Sequence, residues 1–321
     1  MINKILSTVY PGDIFDKDNL NKSYQDLLKK VHPDLNNNSI ESNEATIKLQ
    51  SLFKQANEDI KNDFWISSNK IIKKKFEFDY IDKFDCDIGK AYYNNQQVYY
   101  VFDDNKALFD NTVKKISLMN DLLSRDSRLS IEFSKYLPKT ISYDINKTDI
   151  CLTFPKTPNH SIFSLRSLIK LFNGHLPHEH VSWILSSLYN SCCFLDHYKL
   201  VHNGLTIDNL FVDIVNHYVL IFGGWWFTTA KDLKMIGLSK ELLNILPLKV
   251  RDSKLSNIQT DLEAIRLIAR KLFGIDTPKE IKDWVFNRFA LDSALKEYNK
   301  WVTIVEHVYG KNRSFTKINL K

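Results

Sequence analysis

Candidate catalytic residues concentrate in one stretch of the chain, between Trp183 and Phe227. From His202 onward the stretch contains His202, Asn209 and two carboxylates, Asp208 and Asp213. One neutral oxygen, that of Asn209, holds Mg²⁺ poorly without carboxylates beside it. Asp208 is adjacent to Asn209 and is expected to point the other way, and Asp213 is expected on the surface of a strand. The sequence therefore predicts no metal site and no bound cofactor here.

The spacing of these residues resembles the catalytic loop of protein kinases. In that family a His-x-Asp opens the loop and an Asn follows the His by seven positions. His202 and Asn209 keep this spacing, but Gly204 stands at the catalytic Asp position and Phe222 at the metal-loop Asp position. Phosphoryl transfer needs charge stabilisation at the phosphates and a base that orients the acceptor. The resemblance therefore implies a kinase frame without catalytic residues, in which His202 packs as a structural residue.

The preceding segment is predicted to form a β-rich small lobe. Residues 91–93 and 98–102 are aromatic and β-branched and flank a short polar turn, which is typical of a β-hairpin. The kinase resemblance implies a Gly-rich phosphate loop, a Lys on the third strand and a Glu on the next helix. Gly89 is the only glycine between residue 76 and the hairpin, Val101 occupies the Lys position, and the predicted helix 108–123 contains no Glu. The joint loss of Lys and Glu indicates that the nucleotide-binding pair is missing.

The large lobe is predicted to be helical, with a buried helix that starts near Thr260. Thr260 and Glu263 have the spacing of a capping box, with Thr260 as the N-cap and Glu263 reaching back. Gly274 is expected at the C-cap of this helix. By resemblance to the kinases, Asp261 anchors the backbone of the catalytic loop. This role is structural and does not imply activity.

Two adjacent tryptophans, Trp225 and Trp226, stand where a kinase activation segment would begin. One interpretation is that they fill the core, together with Phe222 in the nucleotide cleft. The other is that they form an aromatic docking patch, since Trp and Tyr are frequent at interfaces. The sequence leaves both interpretations open.

The first 65 residues predict a helical hairpin. Apolar residues recur at helical spacing from Leu20 to Val31 and again from Ala45 to Ile60. Pro33 disfavours helical geometry in the residue before it, so the first helix should stop at His32. The tripeptide His32-Pro33-Asp34 between two such helices resembles the J domain, the module that docks on an Hsp70 chaperone. The resemblance implies an Hsp70 contact made by six residues: Lys22, Lys29, Lys30, His32, Pro33 and Asp34. The segment before Leu20 is short, so the first helix of the module should be abbreviated, and no clear helix follows Asp63.

Composition excludes several other classes of protein. Hydrophobic residues make up 44% of the 321 residues, which is enough for a sizeable core, and the net charge of +6 is mild. Nucleic-acid binding is therefore not indicated. The four Cys lack the spacing of a metal site, which favours reduced thiols in a reducing compartment. The chain contains no long apolar run, so we expect no membrane span and a cytoplasmic protein, in the host cell if the source is viral.

These observations predict an α+β chain: a J domain (1–65), a linker (66–75), and a bilobal kinase-like domain with a small lobe (76–155) and a large lobe (156–321). The whole resembles a group of J-domain proteins with a degenerate kinase-like domain, found in phages and some bacteria. The leading hypothesis is an Hsp70 co-chaperone whose inactive kinase-like domain binds a client or partner protein. The alternatives are an atypical kinase or nucleotide transferase, and a non-catalytic nucleotide sensor.

Overall fold

The computed structural model of the chain describes residues 1–73, 76–103, 105–138, 140–144, 149–155, 161–311 and 317–318. The described residues form a mixed α+β protein, as expected. They divide into two compact units, Met1–Lys83 (unit 1) and Phe84–Lys321 (unit 2). Among the helices described, none combines the length and apolar composition needed to cross a membrane.

Unit 1 begins with the three helices α1 (Ile2–Ser7), α2 (Leu20–Val31) and α3 (Ile40–Lys61). Leu27 and Val31 of α2 are buried against Leu49 and Leu52 of α3, and Ile5 of α1 joins the same core. Apolar residues at helical spacing thus meet across an antiparallel pair, as the sequence predicts. The first helix is a short one of six residues, in line with the abbreviation expected.

The rest of unit 1 is a three-stranded antiparallel sheet. The segment 66–75 was predicted to be a linker, but it contains the middle strand of this sheet, Lys70–Lys73. Lys74 and Lys75, the last two residues of the segment, lie outside the described part of the chain. Trp65 of the sheet is buried in the core of the helices, so the sheet and the helices share one core. The strands are β1 (Phe64–Ile66), β2 (Lys70–Lys73) and β3 (Phe76–Asp79), in the order β1-β2-β3.

The first half of unit 2 is built on a five-stranded antiparallel sheet. The predicted hairpin is present, with Tyr92 opposite Tyr99. One face of the sheet carries Tyr100 and Phe102, and Phe102 meets Phe109 of the following helix edge to face at 5.6 Å. The sheet consists of β4 (Asp82–Cys86), which contains the division between the units, β5 (Gly89–Tyr93), β6 (Gln97–Phe102), β7 (Thr140–Asp144) and β8 (Asp149–Thr153), in the order β4-β5-β6-β8-β7. The helices α4 (Lys106–Arg125) and α5 (Ser127–Phe133) connect β6 to β7.

The second half of unit 2 is mainly helical. Its longest helix follows Pro177 and buries most of its side chains, and the end of the last helix is bonded to it, with Tyr309 Oη 2.7 Å from His178 Nδ1. Residues 312–316 lie outside the described residues. The helices are α6 (Leu165–Leu171), α7 (His178–His197), α8 (Leu248–Ser253), α9 (Ile258–Leu272), α10 (Lys279–Phe286) and α11 (Ala294–Tyr309). Between them lie the short strands β9 (Ile162–Ser164), β10 (Leu200–Val201), β11 (Leu210–Asp213), β12 (Tyr218–Ile221) and β13 (Thr229–Ala230).

The start of α9 differs from the predicted capping box. The helix begins at Ile258, with Asn257 as its N-cap, whose side chain accepts the Gln259 N–H at 3.0 Å. Glu263 does not reach back to Thr260 but accepts the backbone N–H of Ala290 at 2.6 Å. The capping-box prediction was wrong because this carboxylate serves a distant loop instead of its own helix end.

Candidate functional site

The loop after α2 places the His-Pro-Asp tripeptide at the surface of unit 1. The helix ends at Val31, and His32 leaves it with extended backbone geometry (φ −56°, ψ 134°). Pro33 explains this end, because the residue before a proline avoids the helical region. The Asp34 N–H donates to His32 Nδ1 at 3.2 Å, and the Asp34 carboxylate lies 3.6 Å from the same nitrogen with 77% of its side chain exposed. A neutral His32 that accepts at Nδ1 carries its proton on Nε2, which leaves one donor for a partner.

The remainder of this loop is fixed by its own hydrogen bonds. The Asn36 side chain donates to the carbonyls of Lys30 and His32 at 3.2 and 2.9 Å. Asn37 and Asn38 both have φ near +52°, a left-handed conformation that Asn tolerates better than most residues. Ser39 then caps α3 by accepting the Ser42 N–H at 3.2 Å. Sequence reasoning missed Asn36, although an Asn two residues after such a tripeptide is well placed to cap the preceding helix.

The lysines assigned to Hsp70 binding lie on the solvent side of α2. Lys22, Lys29 and Lys30 are exposed, whereas Leu27 and Val31 are buried. Lys22 and Lys29 are seven residues, about two helical turns, apart and therefore share a face. With Asp26 as its acidic residue, α2 keeps a net charge of +2. Lys29 and Lys30 thus lie in the last turn of α2, directly before the tripeptide, whereas Lys22 lies in its first turn.

In unit 2, the backbone of the loop that begins at His202 is hydrogen-bonded to the side chain of Asp261. The two carboxylate oxygens accept the backbone N–H groups of His202 and Asn203 at 2.6 and 2.8 Å. Asp261 is fully buried, and burial raises its pKa to about 7 against the lowering effect of these two bonds. Asn203, at φ +59°, adds side-chain bonds to the Phe227 carbonyl at 3.2 Å and to Ser256 Oγ at 3.0 Å. Asp261 therefore holds the loop backbone, in the way that the kinase resemblance implies.

His202 lies in an apolar environment. It is fully buried, and its ring meets that of Trp225 edge to face, with centroids 4.8 Å apart. Neither ring nitrogen has a hydrogen-bond partner among the described residues. Burial lowers the pKa of His202 to about 3. Because its ring is buried against Trp225, His202 is positioned as a packing residue.

Gly204, at the position of the kinase catalytic Asp, has no room for a side chain. A Cβ atom there would lie 2.9 Å from both the Cα and the carbonyl oxygen of Gly224. Gly224 itself has φ +85°, and a Cβ on it would meet His202 Cε1 at 2.4 Å. The two backbones thus pack directly against each other. A carboxylate side chain at position 204 would therefore not fit unless Gly224 moved.

Asn209, at the position of a kinase metal ligand, is used to bind the chain to itself. Its side-chain amide donates to the Gly204 carbonyl at 2.8 Å, and its own carbonyl accepts the N–H groups of Phe222 and Gly223 at 3.0 and 3.1 Å. The side-chain oxygen Oδ1 is buried, and a Cβ on Gly223 would come within 2.1 Å of it. This oxygen therefore faces protein backbone at close range. Across the described residues, no group of His, Cys, Asp and Glu could hold a metal ion.

The aromatic residues after β12 fill the core of unit 2. Phe222 is fully buried, with its ring 4.5 Å from that of Phe154 and 5.7 Å from that of Phe211. Trp225 and Trp226 have exposed fractions of 0% and 1%. Trp226 packs edge to face on Tyr100 at 5.5 Å. The docking-patch interpretation of the two tryptophans is therefore wrong, because neither ring reaches the surface. Both tryptophans fill the core.

Val101 lies on β6, where the kinase resemblance expects a Lys. It stands opposite Lys90 on one side and Asp149 on the other. The next helix, α4, is attached to the loop after β12 by Asn111, whose amide donates to the carbonyls of Trp226 and Thr228 at 2.9 and 3.1 Å. A neutral amide thus makes the connection from this helix. Sequence reasoning missed Asn111, and no local pattern marks it.

The two carboxylates near Asn209 have structural partners. Asp208 forms a bidentate ion pair with Arg166, at 2.6 and 2.7 Å. Asp213 is fully buried, contrary to the expectation that it faces solvent. Its Oδ1 accepts the N–H groups of Val215 and Asn216 at 3.0 and 2.9 Å and so closes the turn between β11 and β12. The expectation was wrong because the Asp213 carboxylate serves as the acceptor for turn amides, a role that allows an Asp to be buried.

Comparisons with known proteins add no assignment to this geometry: no family model matches the chain, and no curated protein is significantly similar to it.

Proposed function

We propose that the protein is an Hsp70 co-chaperone that docks through unit 1, and that unit 2 is a non-catalytic, kinase-like domain that binds a client or partner protein. The observation that carries the proposal is the rigid, exposed His32-Pro33-Asp34 loop at the end of a positively charged helix. A loop held in one conformation loses little entropy on binding, which favours its use as a docking element.

Each part of the loop has a separate task in this proposal. Pro33 ends α2 and sets the direction of the loop. The exposed carboxylate of Asp34 reaches a cation on the chaperone, and the Nε2–H of His32 donates a hydrogen bond. Lys22, Lys29 and Lys30 face an acidic surface, an interaction that salt screens because the charges are exposed. The contact then stimulates ATP hydrolysis by the chaperone.

Three features of unit 2 support the proposal that it transfers no phosphate. Gly204 cannot carry a side chain without displacing Gly224. Phe222 places a buried ring at the metal-binding position, and its neighbours Phe154 and Phe211 pack around it. The side-chain amide of Asn209 donates a hydrogen bond to the Gly204 carbonyl. With no carboxylate at these two positions and the Asn209 amide bonded to the loop backbone, we propose that the domain serves as a scaffold for binding.

The test is single-turnover ATP hydrolysis by a purified bacterial Hsp70, with the full-length protein added. We expect stimulation by the wild type and its loss in His32→Gln, with unchanged far-UV circular dichroism because the loop carries no core residue. Glu58→Gln, an exposed carboxylate at the far end of α3, is the matched control and should behave as wild type. Stimulation that survives the double change His32→Gln with Asp34→Asn would mean that the tripeptide is only a helix stop, and the co-chaperone function would be rejected.

A further inference from the structure

The outward face of α3 carries apolar side chains that the fold of unit 1 does not use. Ile40 and Ile47 are 74% and 67% exposed, and Leu35 in the preceding loop is 72% exposed. Ile40 and Ile47 are seven residues apart, which places them on one face about 10 Å from each other along the helix. The buried residues of α3, among them Leu49 and Leu52, lie on the opposite face. We call Leu35, Ile40 and Ile47 the apolar stripe.

The stripe is continuous with the tripeptide. Leu35 follows Asp34 directly, and its N–H donates to the His32 carbonyl at 3.0 Å. Asn38 donates to the Pro33 carbonyl at 2.9 Å, and Ser39 to the Asn36 carbonyl at 3.1 Å, so the turn between Leu35 and Ile40 is fixed. The exposure of these two side chains is therefore a property of an ordered loop. β-Branched residues are also poor choices for a solvent-facing helix position unless something packs on them.

The stripe and the lysines occupy different sides of the helical hairpin. The lysines lie on the face of α2 away from the core, and the isoleucines lie on the face of α3 away from the core. Because the two helices pack face to face, these outward sides meet only around the loop. A partner that grips the tripeptide can thus touch charged groups on one flank and apolar groups on the other.

We infer that the apolar stripe is the second half of the Hsp70 docking surface, with Leu35 and Ile40 entering an apolar recess of the chaperone next to its contact with Asp34. This inference rests on the proposed function and adds the chemistry of the partner surface: an acidic patch for the lysines and an aliphatic recess on the other side. The charged half responds to salt. The apolar half does not, because burial of aliphatic surface is not electrostatic.

The experiment titrates the full-length protein into a purified bacterial Hsp70 loaded with ATP and measures the concentration that gives half-maximal single-turnover hydrolysis. The titration is run at about 30 mM and about 300 mM salt, two conditions that differ strongly in Debye length. Leu35→Ser with Ile40→Ser should raise the half-maximal concentration by at least about tenfold at both salt concentrations, since each buried aliphatic side chain is worth about a decade or more in affinity. Lys22→Ala with Lys29→Ala should raise it mainly at the lower salt concentration.

Two variants separate docking from folding. Ile81→Ser removes another apolar side chain of unit 1, 64% exposed and outside the loop, and should leave the titration unchanged. Leu35→Met with Ile40→Leu keeps the apolar surface and should retain wild-type stimulation. Thermal unfolding of all variants should match the wild type, because the substituted side chains are exposed.

The outcomes distinguish the two claims. If the double serine variant titrates like the wild type while His32→Gln abolishes stimulation, the apolar stripe is not part of the interface, and the co-chaperone function stands. If the double serine variant changes only the mass measured by light scattering, the stripe is a contact between copies and the inference is overturned. If His32→Gln still stimulates, the proposed function falls and the inference falls with it.

Discussion

Adding a single methyl group at Gly204 should destabilise unit 2. A Cβ there would lie 2.9 Å from Gly224 Cα and from its carbonyl oxygen, below ordinary van der Waals contact at about 3.5 Å. The two backbones would have to separate by roughly half an ångström. Two hydrogen bonds resist this movement, one from the His202 N–H to the Asp261 carboxylate and one from the Asn209 amide to the Gly204 carbonyl.

The size of the effect follows from two opposing contributions. Overpacking a close contact typically costs about 1–3 kcal/mol. Replacing Gly by Ala also restricts the unfolded chain, which stabilises the protein by about 0.4–1 kcal/mol. The net loss for Gly204→Ala is therefore about 1–2 kcal/mol. For a domain the size of unit 2, this lowers Tm by roughly 2–8 °C.

Tryptophan fluorescence suits the measurement, because Trp65 lies in unit 1 and the other five tryptophans lie in unit 2. The matched control is Gly274→Ala. A Cβ at Gly274 would lie 2.8 Å from Asp276 Oδ1, a similar distance, but this atom ends a side chain that can rotate away. The control should therefore melt at or slightly above the wild-type temperature. Equal melting temperatures for the two variants would refute the reasoning that backbone-to-backbone contact fills this position.

The same crowding bears on activity. Gly204→Asp supplies the carboxylate of an active kinase, but the structure offers it no space beside Gly224. We expect neither the wild type nor Gly204→Asp, alone or with Phe222→Asp, to transfer labelled phosphate from ATP with Mg²⁺ or Mn²⁺. Labelling by the wild type that disappears in Asn209→Ala would show that the centre is active.

Two further predictions concern buried charge in unit 2. Asp261→Asn should cost about 1–3 kcal/mol of stability because one loop N–H loses its acceptor. Since burial raises the pKa of Asp261 from 3.8 to about 7, the folded wild type binds more protons than the unfolded chain between these pH values, and its stability to urea should fall as the pH rises from about 4 to about 7. An equal fall in the Asn variant would contradict this. Glu297→Ala should cost about 3–5 kcal/mol of stability, because Glu297 forms ion pairs with the fully buried Arg266 and, at 2.8 Å, with Arg288. The control variant Glu280→Ala, at an exposed position, should have little effect. Similar unfolding midpoints for the two variants would mean that another group compensates the buried charge of Arg266.

Local sterics made some features predictable from the sequence. Pro33 acts on its immediate neighbour, so the end of α2 at Val31 follows from the order of the residues alone. The helical faces of unit 1 follow equally from the spacing of Leu27, Val31 and Leu49. The contact of Asp261 with the loop was expected from its place at the start of a buried helix, by resemblance to the kinases, although its bond to the His202 N–H crosses 59 residues.

Features that depend on distant partners escaped the sequence. The predicted linker looks polar in sequence, and the pairing of its residues Lys70–Lys73 into a sheet depends on β1 and β3. Glu263 has the spacing of a cap but binds Ala290, which lies 27 residues away. The surface or interior placement of Trp225 depends on which rings surround it in the folded protein. In each case the contact that determines the structure joins residues far apart in the sequence, and a local sequence pattern does not reveal it.

The connection between the start of the chain and the sheet of unit 1 has a consequence for biosynthesis. The Asp13 carboxylate accepts the N–H and the hydroxyl of Ser68 at 2.7 and 2.6 Å, a contact across 55 residues. Ser68 lies between β1 and β2, so it is synthesised after all three helices, α1–α3. A nascent chain that stops short of β2 would expose the core side of Trp65 and Leu49, a condition that invites aggregation. Truncated versions of unit 1 should therefore retain the whole sheet, through β3 (Phe76–Asp79).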